Sequence, residues 1–151
     1  MNIKTQDLIG PALDWALAKC EGHRIQARRW GRNIEWVSLD LTNVRDDDYT
    51  TWCPSYDWAQ GGPIIERENI SVICAEGAYD AKRRRYAVYW AAEKGVKQDG
   101  IVYGSQGDDY GQHFTIACDS VTGSTPLIAA MRCYVASKLG DEVKVPDEVA
   151  A

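Results

Sequence analysis

Four residues in one short segment have the chemistry to hold an anion. Arg28, Arg29, Trp30 and Arg32 interleave cationic forks with an indole. A guanidinium can pair a carboxylate or phosphate bidentately and also lie over an aromatic face. Trp52, Tyr56 and Trp58 offer further stacking surfaces. Ser124 and Thr125 stand just before a segment of helical pattern, where free backbone amides and the helix dipole favour negative charge. These nine residues are the expected ligand-binding set, and the ligand they suit is small and anionic, of nucleotide type. Each also has a plainer use. The arginines suit a solvated turn, the tryptophans suit a core, and Thr125 followed by Pro126 suits simple helix capping.

Other patterns fall short of a known chemistry. There is no G-x-x-x-x-G-K and no G-x-G-x-x-G, so no nucleotide-hydrolysing site of known type is indicated. Cys20 and His23 have ligand-like spacing, but the chain has only 2 His, and a structural zinc wants four ligands. Asp46, Asp47 and Asp48 lack the spaced oxygens of a calcium loop. The basic run Lys82 to Arg85 reads as a charged hairpin connection. A non-enzymatic protein is therefore expected, with no catalytic residues, no metal and no cofactor.

Composition narrows the partners. A net charge of −5 argues against general nucleic-acid binding, which needs a basic surface. No apolar run approaches the ~18 residues of a membrane span, and no basic-then-apolar leader opens the chain, so a cytoplasmic address is expected. The 5 cysteines are scattered, without a C-x-x-C pair, and read as reduced thiols. A small anionic ligand, a host protein and a second copy of the chain are the partner classes left open.

The elements that must position these residues follow from periodicity. At 151 residues the chain fits one domain. Leu127, Ile128, Met131, Tyr134, Val135 and Leu139 recur at helical spacing on one face, with Thr125 and Pro126 at the start and Gly140 at the stop. Residues 11–21 form a first helix, ended by Gly22; Thr5 or Asp7 can cap a short turn before it. Alternation predicts strands around Ile25–Ala27 and Ile34–Leu39, joined by a turn at Trp30-Gly31-Arg32-Asn33, then polar loop from Asn43 to Pro54.

Asp57 is the expected cap of a second helix running to about Glu68. Gly61, Gly62 and Pro63 burden it, which points either to a late start or to glycines that admit a close neighbour. Strands are expected at Ile70–Ala75, Tyr86–Ala91 and Phe114–Cys118. The glycine-punctuated 94–112 stretch reads as a flexible loop and the tail 143–151 as extended and frayed. The fold class predicted is α+β, a small mostly antiparallel sheet with about three helices packed on it.

Three blocks carry a resemblance. ALDWALAKCEG, SYDWAQGGPIIERE and TPLIAAMRCYVASKLGDEV, within residues 5–22, 55–70 and 123–146, look like the NinX-type family of small tailed-bacteriophage proteins. Residues 77–119 depart from that pattern. The resemblance implies a phage origin and hence the cytoplasm of an infected bacterium. It brings no catalytic residues with it. Joined to the arginine–tryptophan segment, it suggests an accessory protein that counters host defence by sequestering a nucleotide-like signal, alternatively a module that inhibits or redirects a host enzyme, and less readily a small hydrolase.

Overall fold

A computed structural model describes residues 1–38, 51–82, 84–94, 101–102, 113–114 and 121–149. In chain order they form β1 (Asn2–Lys4), a 3-10 turn (Thr5–Asp7), α1 (Gly10–Glu21), β2 (Ile25–Trp30), β3 (Asn33–Ser38), β4 (Thr51–Trp52) and α2 (Trp58–Glu68). Then come β5 (Ile70–Asp80), β6 (Arg85–Lys94), β7 (Ile101–Val102), β8 (His113–Phe114), β9 (Val121–Gly123), α3 (Pro126–Leu139), β10 (Glu142–Lys144) and a 3-10 turn at Asp147–Val149. The expected 94–112 loop lies outside the described residues apart from Lys94, Ile101 and Val102; so do the expected strand beyond Phe114 and the expected loop from Asn43 to Thr50.

The fold is α+β, and all strand pairs among the described residues are antiparallel. β2, β3 and β4 form one sheet; β5, β6 and β9 form another; β1 with β10 and β7 with β8 are two-stranded.

Both ends of α3 match their residue chemistry. The Thr125 hydroxyl accepts the Ile128 N–H at 3.1 Å, Pro126 occupies the first turn, and the Gly140 N–H closes on the Ala136 carbonyl at 3.0 Å. Its burial differs from the expected single stripe. Ala129, Ala130 and Cys133 are buried along with Leu127, Ile128, Met131, Tyr134 and Val135, whereas Leu139 is 37% exposed. α1, α2 and the β5–β6–β9 sheet all contribute to the core that contains α3, so almost its whole circumference is covered. Burying each large aliphatic there contributes roughly 1.5–3 kcal/mol before entropy is subtracted.

α1 begins at Gly10 and ends where Gly22 turns left-handed (φ +71°), burying Leu13, Ala16 and Leu17. Thr5 caps no helix. Its hydroxyl donates to the Gly140 carbonyl at 2.6 Å and its N–H to the Asp141 carbonyl at 2.7 Å, tying the chain's start to the end of α3. The tail is likewise held rather than frayed at 142–145. β10 pairs with β1 through Ile3 opposite Val143, and Val143 and Val145 are buried in the core.

α2 starts at Trp58, with the Asp57 carboxylate accepting the Ala59 N–H at 2.9 Å. The late-start option fails, and close approach accounts for Gly61. A Cβ there would collide with the Pro54 carbonyl and lie 2.6 Å from Leu127 Cδ1. Gly123 is equally confined, its missing Cβ falling 2.5 Å from the Ala129 amide nitrogen. Gly62 faces open space. Substituting alanine should separate these cases in urea denaturation. Gly61→Ala and Gly123→Ala should each lose about 1–3 kcal/mol through forced backbone shifts, whereas Gly62→Ala should gain up to about 1 kcal/mol of helix propensity.

Candidate functional site

The β2–β3 hairpin carries the arginine–tryptophan segment. Its register sets Ala27 against Trp36, Arg28 against Glu35, Arg29 against Ile34 and Trp30 against Asn33, with the turn at Gly31 (φ +60°) and Arg32. Because strand side chains alternate, Arg28 and Trp30 share one face and Arg29 takes the other. Arg28 lays its guanidinium over the Trp30 ring, 5.0 Å from the centroid. Trp30 is 59% exposed, and Arg29 and Arg32 are exposed beside it. Arg29 also reaches Glu148 at 3.7 Å, an exposed pair of little energetic weight.

Trp52 does not join that platform. It pairs with Trp36 across β3–β4 and so lies on the opposite face from Trp30. Both indoles seat the sheet on α1. Trp36 Nε1 donates to the Pro11 carbonyl at 2.7 Å and Trp52 Nε1 to the Asp14 carbonyl at 2.8 Å. His23 meets Trp52 edge-on, 4.5 Å between centroids. Among the described residues no three His, Cys, Asp or Glu side chains gather into a metal-holding group. Burial pushes the Cys20 thiol up to about 11, away from the reactive thiolate range.

Tyr56 and Trp58 form a second exposed aromatic pair, 85% and 56% exposed. The turn beneath them is closely tied. The Cys53 carbonyl accepts the amides of Tyr56 and Asp57, both at 2.9 Å, and Gln60 bridges the Thr51 carbonyl (2.7 Å) and the Cys53 amide (3.0 Å). Gly61 touches Leu127 and Arg67 touches Tyr134, so α2 and α3 run side by side in the same direction. Ser124 and Thr125 therefore stand at the same end of the helix pair as Tyr56 and Trp58. Ser124 is exposed, and the Thr125 hydroxyl is occupied as a cap. The nine expected residues thus divide into the hairpin group Arg28, Arg29, Trp30 and Arg32, the helix-start group Tyr56, Trp58, Ser124 and Thr125, and Trp52, which is half-buried.

A third cluster was not anticipated from the sequence. Tyr134 donates its hydroxyl to Glu21 at 2.5 Å. Arg67 binds both oxygens of Glu21, at 2.6 and 3.1 Å, and reaches Glu68 at 3.2 Å. Lys94 meets Glu68 at 2.6 Å, while Lys138 lies 3.8 Å from the same oxygen. All three cations stand 5.6–5.9 Å from the Tyr134 ring centroid. Burial pushes Glu21 up, but the hydrogen bonds from Arg67 and then Tyr134 outweigh it and hold the carboxyl below its ordinary range. The Lys94 hydrogen bond holds Glu68 low, and burial followed by the Glu21 contact pushes the Tyr134 hydroxyl upward. The one signal in the sequence was the charge at the helix ends, Glu21, Arg67, Glu68 and Lys138, but nothing local joins them.

Asp14 behaves oppositely to these acids. It is 5% exposed and accepts the Ser55 N–H at 2.9 Å, yet burial outweighs that bond and raises it to about 6. A raised carboxyl favours the protonated native state, so its contribution is present below about 4 and lost as pH climbs towards 6, by about 3 kcal/mol. Glu21 and Glu68, held low, add stability above their ordinary range and lose it as pH falls through their folded values. Chemical denaturation across pH should therefore show a rise out of the acid region followed by a decline between pH 4 and 6. Asp14→Asn should remove the decline and leave the acid limb; Glu68→Gln should flatten the acid limb and leave the decline.

No helix among the described residues is long and apolar enough to cross a membrane. No curated protein matches the chain. A family model described as "Bacteriophage P22, NinX" matches residues 4–138, a span that includes the 77–119 stretch and ends before residues 139–146. With most of its length matched, the chain belongs to the bacteriophage P22 NinX family.

Proposed function

We propose that this phage protein is a non-enzymatic accessory factor that acts by binding, and that the tip of its β2–β3 hairpin engages an acidic surface on a host protein. The observation that carries the reading is the Arg28–Trp30 stack, with Trp30 59% exposed at the hairpin end and Arg32 exposed in the adjoining turn. Tryptophan and arginine supply much of the energy of protein interfaces, because one face of each is apolar and the guanidinium pairs carboxylates bidentately. Presented on a paired ribbon, the two are held together before a partner arrives, which lowers the ordering cost of association. Inhibition or redirection of a host enzyme in the cytoplasm of the infected cell, defence enzymes included, is the consequence this reading assigns.

The same stack favours a second reading. An indole flanked by guanidiniums can hold a base against its face and the attached phosphate at its edge. Sequestration of a nucleotide-like signal would then rest on the hairpin alone, since Trp52 lies on the far face and Tyr56, Trp58, Ser124 and Thr125 belong to another group.

One pair of measurements tests both. Tagged protein recovered from host lysate should retain an acidic host protein at fixed stoichiometry, and the Trp30→Ala/Arg32→Ala variant should lose it at least tenfold without a change in circular dichroism. Native mass spectrometry of the same preparation reads the second possibility as an added nucleotide-like mass that the variant lacks. Full retention of whatever is bound by the double variant would remove the hairpin from the function.

A further inference from the structure

Away from the hairpin, β6, β9 and α3 border a half-open cavity of about 240 Å³, lined among the described residues by Ala92, Glu93, Lys94, Val121, Cys133, Ala136 and Ser137. The residues facing it from α3, Cys133, Ala136 and Ser137, are small, which leaves the space beside the helix unfilled. A fully apolar cavity of ~150 Å³ already takes up benzene, so this one has room for a larger flat ring system.

The lining sets the ligand's charge. Lys94 is the charged side chain on the α3 face of β6, and its ammonium is engaged by Glu68 at 2.6 Å. Glu93 also lines the cavity, so the two charges at its edge are of opposite sign. The Ser137 hydroxyl donates to the Tyr134 carbonyl at 2.7 Å. What remains for a ligand is apolar surface from Ala92, Val121 and Ala136, together with the thiol of Cys133, which is 6% exposed. A charged occupant would meet one charge of each sign and gain no net counter-ion, while giving up part of its own hydration. An aromatic ring instead gains dispersion contacts and a sulfur–ring contact.

We propose that this cavity is a binding site for a small, flat, uncharged aromatic molecule, held against the Cys133 thiol. It is a site separate from the hairpin and does not depend on the function assigned there.

The test uses the full chain with indole as the probe. Titration followed by calorimetry and two-dimensional NMR should show saturable binding of one indole per chain, with shifts centred on Ala92, Val121, Cys133 and Ala136. Occupancy should slow modification of Cys133 by methyl methanethiosulfonate, read by peptide mass spectrometry so that the other cysteines serve as internal controls. Ala136→Leu, which projects a larger side chain into the space, should weaken indole at least tenfold with little change in melting temperature. Ser137→Leu provides an independent filling variant should the first fail to fold. Indole-3-carboxylate should bind at least tenfold more weakly than indole. Absence of saturation in the wild-type protein, unchanged affinity in the folded filling variants, or an unprotected Cys133 at full occupancy would overturn the site. Tighter binding of the carboxylate would overturn the uncharged class.

Discussion

Covering a helix on nearly every side is a demanding constraint, and in this protein it falls on α3. A helix with one apolar stripe needs one neighbour; α3 draws its neighbours from the start, the middle and the end of the chain. Leu8 and α1 supply one wall, Ile64 of α2 another, and Ile70 and Ala92 of the sheet a third, while Val143 and Val145 close the far side. Arg132 extends the arrangement with polar bonds, donating to the Leu8 carbonyl at 2.7 Å and the Thr122 carbonyl at 2.8 Å. Such an arrangement leaves little slack. Gly61 and Gly123 are the places where backbone and helix approach too closely for any side chain.

Charges concentrate where the helix ends meet. Glu21 closes α1 and Glu68 closes α2, both at the negative end of a helix dipole, where a carboxylate is disfavoured. Arg67, Lys94 and Lys138 offset that penalty from three different elements, and the Tyr134 ring lies among them. Each side chain serves at least two partners, which makes the cluster stronger as a set than as separate exposed pairs. The small residues of the Cys133–Ser137 segment sit beside this network, so a region dense in polar contacts adjoins one that is loosely filled.

Local chemistry was readable wherever the determinant and its effect lie within a few residues. The Asp57 and Thr125 caps, the stop at Gly22 and the hairpin turn at Gly31-Arg32 are all of that kind. Features decided by distant parts of the chain were not readable. Tyr134 looked like one more apolar position on α3, and only its contact with Glu21, 113 residues away, makes it the centre of a network. Thr5 had the right chemistry for a cap and found its partners at Gly140 and Asp141 instead. The arginine–tryptophan segment stayed together because its members are neighbours on a hairpin, whereas Trp52 was separated from Trp30 by strand alternation and register, which composition does not encode.

The two indole contacts that seat the β2–β3–β4 sheet share a property with evolutionary weight. Trp36 and Trp52 both donate to main-chain carbonyls of α1, at Pro11 and Asp14, and those acceptors are present whatever side chain the position carries. Their donors are not interchangeable, since phenylalanine and tyrosine lack an N–H at that reach. Constraint on this contact is therefore lopsided. The helix can change its side chains at the acceptor positions as far as its own packing allows, while the sheet must keep both tryptophans. Drift among related chains would accumulate on one partner of the interface and leave the other fixed.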